Sequence, residues 1–283
     1  MRAAYYPGCS LAGIANDYDR SVRAACALLG VELVELPDWS CCGATSAHML
    51  DPQAAVMLPA RNLLIANKLG LAELLVPCSA CFARLRAADI ELRNDPGRLI
   101  NEPYDDPPTI FHINEFFDRP ELLERLTQRV KQSLHELRGV CYYGCLSQRP
   151  AAITGSARPE DPLSMERVLE ALGMRALPWS YKTDCCGASL SLSRPDLVRQ
   201  LSGNLFQAAK LCGAELMVVD CPMCQSNLDT RQSQIEDERN TRYGLPIVYI
   251  SELIALALGD EGNDWWPGHL VDPRPLLHDK GLL

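Results

Sequence analysis

The sequence predicts an α/β protein made of two pseudo-repeated cysteine-rich domains, each with a mainly parallel sheet flanked by helices. Three observations carry that prediction. Short apolar or alternating runs exchange with helical periodicity along the chain, the pattern of strand–helix–strand units. The doublet Cys41-Cys42-Gly43 returns as Cys185-Cys186-Gly187, and a Cys-x-x-Cys follows each, at Cys78–Cys81 and Cys221–Cys224. The motif cysteines follow predicted strands, at the carboxyl ends where open α/β sheets place their ligand sites. The repeat divides the chain into a first domain, 1–138, a second, 139–262, and a C-terminal tail, 263–283.

In chain order, Ala3–Tyr6 reads as a strand, and Pro7-Gly8-Cys9 as a turn presenting a thiol at its end. Asp17 or Ser21 is the expected cap of a helix running to Leu29, stopped by Gly30 before the alternating strand Val31–Leu36. Asp51-Pro52 opens the next helix. The buried strand Leu74-Leu75-Val76 feeds Pro77-Cys78-Ser79-Ala80-Cys81 and the helical stretch Phe82–Arg93. The first turn of a helix favours thiolate over thiol, a preparation that serves metal ligation and thioredoxin-like redox chemistry equally. Residues 94–108 read as an irregular connection, Thr109–Ile113 as a strand, and Glu121–Leu137 as a helix-rich lead into the second half.

The second half repeats these pieces. Gly139–Cys145 mirrors the opening strand and turn, Ser164–Leu172 the helix stopped by Gly173, and Met174–Pro178 the strand before the doublet. Pro195–Leu211 supplies the long helix, Leu216–Val219 the buried strand, and Asp220-Cys221-Pro222-Met223-Cys224 the Cys-x-x-Cys, with Pro222 suited to a first helical turn. Pro246–Leu253 parallels Pro108–Glu115. The aromatic, proline-rich tail Trp265–Leu283 is either draped on its own surface or docked on a partner.

A chain of 283 residues, 47% hydrophobic, buries a substantial core, and its formal charge of −9 argues against sequence-independent nucleic-acid binding. The amino-terminal residues lack the apolar stretch of a signal peptide, and no run approaches the roughly 20 apolar residues of a membrane span. The expectation is a soluble cytoplasmic protein. Thirteen cysteines there are poorly explained as disulfides, since thiol pools are reducing and the count is odd. Cys26, Cys141 and Cys212 read as small buried hydrophobes.

The other ten fall into two sets in the same order. Intervals of 31, 35 and two residues separate Cys9, Cys41-Cys42, Cys78 and Cys81; intervals of 39, 34 and two separate Cys145, Cys185-Cys186, Cys221 and Cys224. Adjacent cysteines in extended chain point to opposite faces, so a doublet suits a bulky inorganic core better than one ion. The glycine after each permits φ > 0 and lets backbone N–H groups reach sulfur. Structural zinc takes four ligands, and common iron–sulfur clusters four cysteines, so five thiols favour a larger or bridged cluster.

On Tyr6-Pro7-Gly8-Cys9, Ser40-Cys41-Cys42-Gly43, Pro77-Cys78-x-x-Cys81, Tyr143-Gly144-Cys145, Asp184-Cys185-Cys186-Gly187 and Cys221-Pro222-x-Cys224, the chain resembles the family of heterodisulfide reductase B subunits, defined by paired CCG domains, over nearly its whole length. The resemblance implies a noncubane [4Fe-4S] cluster on each set: Cys9, Cys41, Cys42, Cys78 and Cys81 for one, Cys145, Cys185, Cys186, Cys221 and Cys224 for the other. It also implies cleavage of a disulfide between them, each centre passing one electron. Where the family has histidine, this chain has Cys141, a candidate sixth thiol on the strand leading to Cys145. Implied partners are a ferredoxin-like C subunit and a flavin-bearing A subunit, with a disulfide or a lipoate-bearing sulfur carrier as substrate. His48 and His112 are candidate proton donors that read as structural, and Lys182 reads as exposed. No phosphate-binding glycine loop or ferredoxin cysteine run is present. The rival readings are an electron-transfer subunit of a lactate, glycolate or succinate oxidoreductase, and a zinc-bound scaffold.

Overall fold

The computed structural model describes residues 1–44, 47–94, 104–260 and 265–283. Strands β1 (Arg2–Tyr5), β2 (Glu32–Glu35), β3 (Glu73–Val76) and β4 (Thr109–His112) form one parallel sheet in the order β2-β1-β3-β4. The second half repeats it: β5 (Arg138–Tyr142), β6 (Arg175–Ala176), β7 (Leu216–Val219) and β8 (Ile247–Tyr249) run parallel in the order β6-β5-β7-β8. This is the expected fold class. Ala3, Ala4 and Tyr5 of β1 and all four residues of β7 are fully buried, because helices cover both faces of each sheet and a parallel strand so covered must be apolar throughout.

The principal helices are α1 (Asn16–Leu28), α2 (Pro52–Lys68), α3 (Ser79–Asn94), α4 (Pro120–Arg129), α5 (Ser164–Ala171), α6 (Pro195–Leu211), α7 (Pro222–Arg239) and α8 (Ile250–Ala257). Asp51 caps α2 by accepting from the N–H groups of Gln53 at 2.8 Å and Ala54 at 3.2 Å. Pro222 opens α7, where its missing N–H costs nothing.

Several local expectations are corrected. Neither Asp17 nor Ser21 caps α1: the helix begins at Asn16, Asp17 lies in its first turn, and Ser21 is buried inside it, 2.7 Å from the Ser251 hydroxyl. The anticipated helix over 121–137 stops at Arg129, where the chain turns so that the Lys131 and Gln132 N–H groups reach the Ala257 carbonyl at 2.9 and 3.0 Å. Helix α3 starts at Ser79, three residues earlier than expected, so Cys81 sits in its first turn. In the connection of 94–108, residues 95–103 lie outside the described residues.

The halves meet along a seam with pseudo-twofold character. Helix α1 of the first half packs on α8 of the second, and α5 packs on the short helix Ile113–Phe117 of the first. Tyr18 of α1 stacks face to face on Tyr249, ring centroids 3.9 Å apart with an interplanar angle of 7°. The tail folds back on the chain: Trp265 and Trp266 are buried, and His269 pairs with Glu252 at 3.0 Å. Of the two arrangements open for it, the tail adopts the draped one.

Candidate metal centres

Each half gathers its five thiols at the carboxyl ends of its strands. The turn after β1 brings Cys9, the loop after β2 brings Cys41 and Cys42, and β3 with the first turn of α3 brings Cys78 and Cys81. In the second half the same positions supply Cys145, Cys185 and Cys186, and Cys221 and Cys224. Burial repeats as well. Cys42, Cys78 and Cys81 are buried, as are Cys186, Cys221 and Cys224, while Cys9, Cys41 and Cys185 are exposed and Cys145 is half-buried. Each set thus has a closed floor of three sulfurs and an open side.

Parallel second contacts hold the doublets. The Tyr6 hydroxyl donates to the Ser40 carbonyl at 2.7 Å, and the Tyr142 hydroxyl to the Asp184 carbonyl at 2.6 Å, each fixing the peptide just before a doublet. Trp39 packs edge-on to Tyr6 and Trp179 to Tyr142. After each doublet the glycine turns left-handed, φ +74° at Gly43 and +81° at Gly187, and its N–H points to the first sulfur, 3.4 Å to Cys41 Sγ and 3.3 Å to Cys185 Sγ. The glycines before Cys9 and Cys145 have a role that the motif spacing suggested only for the doublet glycines. A Cβ on Gly8 would stand 3.0 Å from Cys81 Sγ, and one on Gly144 3.1 Å from Cys224 Sγ, with φ at +71° and +64°.

The sulfurs are close enough to compete for charge. Cys42 Sγ and Cys81 Sγ lie 3.3 Å apart, and Cys186 Sγ and Cys224 Sγ 3.7 Å. A hydrogen bond from Cys81 holds the Cys42 thiol down to about 7, and Cys81 itself is pushed up. Cys145 does the same for Cys185, lowered to about 6, and Cys224 for Cys221, lowered to about 7. Burial raises Cys9, with the charges of Cys41, Cys42 and Cys78 adding to it. Several thiols at contact distance cannot all ionise without a proton or a cation between them, and soft sulfur donors at N–H-lined positions suit iron–sulfur cores. The ten residues fit such a group: Cys9, Cys41, Cys42, Cys78 and Cys81 would hold one cluster, and Cys145, Cys185, Cys186, Cys221 and Cys224 the other.

The two sets are joined by a buried polar seam that sequence reasoning missed. The Tyr18 hydroxyl bridges the carbonyl of Pro77, before Cys78, and that of Asp220, before Cys221. Ser79, beside Cys78, lies 3.2 Å from His112 Nε2, which also faces the Pro77 carbonyl at 3.0 Å. The fully buried Asp220 carboxylate accepts from Asn114 Nδ2 and, at 3.3 Å, from the Ser147 hydroxyl; burial raises its pKa well above the ordinary carboxylate value. The only sequence signal was an acid standing before the second Cys-x-x-Cys where Pro77 stands before the first.

Other expected residues fall elsewhere. Cys26 and Cys141 are buried core thiols, burial pushing Cys26 up to about 12. Cys141 is fully buried on β5, where burial raises its thiol well above the ordinary value and the Glu166 charge adds to the rise. Cys212 is exposed at the end of α6, contrary to its reading as core, because the inward stripe of α6, Val198, Ser202, Leu205, Phe206 and Ala209, ends before it. Lys182, expected exposed, is buried between Asp161 and Glu166, each at 2.8 Å, and its carbonyl accepts from the Tyr143 and Gly144 N–H groups, shaping the turn before Cys145. His112 is structural: burial lowers it to about 3, and it sits between the Pro77 carbonyl and Ser79. His48 is half-buried on the short helix Ala47–Leu50.

Comparison with known proteins agrees with this duplicated geometry. The CCG family, described as a cysteine-rich domain, matches residues 3–86 and 140–229. The chain is 30% identical over 275 residues to the 8-methylmenaquinol:fumarate reductase membrane anchor subunit of Wolinella succinogenes, covering 95% of this chain and 96% of that one. It is 25% identical over 270 residues to the B subunit of the ferredoxin/F(420)H(2)-dependent CoB-CoM heterodisulfide reductase of Methanosarcina acetivorans, 91% of this chain and 89% of that one. The glycolate oxidase iron-sulfur subunit of Escherichia coli is 25% identical over 80% of this chain and 53% of its own. A crystal structure of a hypothetical protein from Helicobacter pylori shares the fold, with a TM-score of 0.75 at 13% identity over 96% of this chain, which spans about half (52%) of that one. Among the described residues no helix is long and apolar enough to cross a membrane. With the cysteine-rich domain matched twice and the fumarate reductase and heterodisulfide reductase subunits aligned over most of their length, the chain belongs to the CCG family, in its paired-domain form resembling the B subunits of heterodisulfide reductases.

Proposed function

We propose that the chain is the catalytic iron–sulfur subunit of a heterodisulfide-reductase-like complex, with one noncubane [4Fe-4S] cluster on each five-cysteine set. The observation that carries this reading is the presence of two complete thiol sets whose Cys-x-x-Cys segments are tied through the Tyr18 hydroxyl. The domains are taken as 1–138 and 139–262, with the tail 263–283 closing the second.

Reducing a disulfide takes two electrons and two protons and yields two thiols. When bound, the clusters supply one-electron transfer chemistry, which is why two sets suit a two-electron bond cleavage. The electrons come from a partner redox subunit, a ferredoxin-like and a flavin-bearing subunit in the family arrangement. The chain's own residues prepare the site. Gly43 and Gly187 aim N–H groups at sulfur, stabilising negative charge there. Tyr6 and Tyr142 orient the doublets, while Gly8 and Gly144 let the turns close onto the sulfurs. The exposed Cys9, Cys41 and Cys185 mark the side open to a substrate.

A second reading is favoured by the similarity to the fumarate reductase subunit: the same two centres would pass electrons in a membrane-associated oxidoreductase without cleaving a disulfide. Anaerobic assay of cluster-loaded protein with a reduced viologen donor and small disulfides separates them. Two electrons consumed per disulfide support the first reading; electron exchange with the donor and no thiol release supports the second.

A further inference from the structure

We propose that Asp17, Glu252 and His269 form a divalent cation site, of the zinc or manganese class, that ties the C-terminal tail to both halves of the chain. None of the ten thiols belongs to it, and it holds on either reading of the function. Its three side chains come from three separate pieces of chain: Asp17 from the first turn of α1 in the first half, Glu252 from α8 in the second, and His269 from the tail. One donor atom of each lies within 4.8 Å of the other two. The Glu252 and His269 side chains are fully buried, and Asp17 is half-buried, so the Asp17 side faces solvent.

The imidazole is already oriented as a ligand. Its Nδ1–H donates to the Ile247 carbonyl at 3.0 Å, which turns Nε2 toward Glu252 Oε1, also 3.0 Å away. A backbone carbonyl on one ring nitrogen is a common outer support of a metal-bound histidine. Glu252 is held likewise: Oε2 accepts from the Tyr249 N–H at 2.8 Å, which leaves Oε1 for the ion. The tail is pinned just beyond His269, because Asp229 of α7 accepts from the Leu270 and Val271 N–H groups at 2.7 and 3.0 Å. Gly268 lets the tail come down on Asp17, since a Cβ there would stand 2.9 Å from Asp17 Oδ2. Donors at zinc bond lengths around a tetrahedral ion are about 3.3 Å apart, so the Glu252–His269 pair opens slightly and the half-buried Asp17 closes in.

Charge gives the reason for an ion here. The Ile247 carbonyl and the Glu252 carboxylate only accept, so without an ion a proton sits on each ring nitrogen. Two carboxylates against one imidazolium leave surplus negative charge among buried groups; two against a dication leave none, and uncompensated buried charge is costly. The ion takes the place of the Nε2 proton. One nitrogen and two carboxylate oxygens, with a side open to water, suit zinc or manganese better than calcium, which takes roughly six to eight oxygens.

The test titrates zinc alone into the cluster-loaded chain, in competition with a chromophoric chelator, and follows the thermal midpoint. The expected result is a single zinc taken up per chain, with the midpoint raised by about 5 °C at about a hundredfold excess of zinc over its Kd. Asp17→Asn and His269→Gln should each weaken zinc about tenfold or more and remove the rise in midpoint, with iron content reporting that each variant is folded and loaded. Should His269→Gln lose iron, Asp17→Asn, changed at the half-buried ligand, carries the test. Zinc held equally by wild type and Asp17→Asn overturns the proposal, as does binding lost instead in Cys212→Ser, which puts the ion on that exposed thiol. A midpoint that zinc leaves unmoved overturns the tie between the tail and the two halves.

Discussion

The Tyr18 hydroxyl lies 3.0 Å from the Asp220 carbonyl oxygen and 3.3 Å from that of Pro77. One side chain of the first half thus touches the residues that introduce Cys221 and Cys78, and its ring stacks on Tyr249 of the second half. Tyr18→Phe keeps the stacking and removes the hydroxyl, leaving buried carbonyls short of a donor. The expected cost is about 1–2 kcal/mol, read as a lower denaturant midpoint with unchanged iron content. An unchanged midpoint would show that the bridge contributes nothing to joining the halves.

Gly144 and Gly70 have nearly equal backbone angles, φ +64° and +63°, but different surroundings. A Cβ on Gly144 meets Cys224 Sγ at 3.1 Å, whereas one on Gly70 meets nothing within 4 Å. Both alanine variants carry the left-handed backbone cost of about 1–2 kcal/mol. Only Gly144→Ala is expected to lose iron as well. Equal iron in the two variants would mean that the Gly144 turn does not shape the second set.

His269 is fully buried beside Glu252, with Ile247 accepting from its other ring nitrogen at 3.0 Å. Burial alone lowers an imidazole, but the Glu252 carboxylate more than offsets it and raises His269 from 6.5 to about 9. A raised histidine contributes its full stability below its unfolded value and loses it as pH climbs through the folded value. The contribution of the tail should therefore fall between pH 6.5 and about 9, by about 3 kcal/mol. Comparing wild type with His269→Gln across that range checks it: the variant should be less stable at pH 6.5, with the two converging by pH 10. Parallel stability curves would contradict the pairing.

Sulfur positions separate by role. If each set binds its own cluster, as proposed, Cys42→Ser and Cys186→Ser, each removing a buried member of one set, should each cut iron content by about half. Cys212→Ser, at an exposed helix end, should leave iron unchanged. Full iron in Cys186→Ser would remove that residue from the ligand set.

The fold class was legible because parallel strands covered on both faces write themselves as apolar runs, and Leu216–Val219 could be read from composition alone. The sulfur geometry was legible because the duplication printed each set twice. What stayed hidden was long-range. Nothing local in Tyr18, Asn114 or Lys182 says that the first two cross the seam, or that the third is buried between Asp161 and Glu166, since those partners lie 16 to 202 residues away and pairing across such separations leaves no periodic trace. Cys212 misled for a related reason: a cysteine beside a helix-ending glycine looks the same whether the last turn faces core or solvent.

The most direct test of the central claim, two five-thiolate sets each holding an iron–sulfur cluster, is the metal and acid-labile sulfide content of the chain purified without oxygen. The expected result is about eight irons per chain with comparable sulfide, and visible absorption that bleaches on reduction. Zinc in place of iron, with no sulfide and no visible absorption, would contradict it and leave the paired domains as a zinc-bound scaffold.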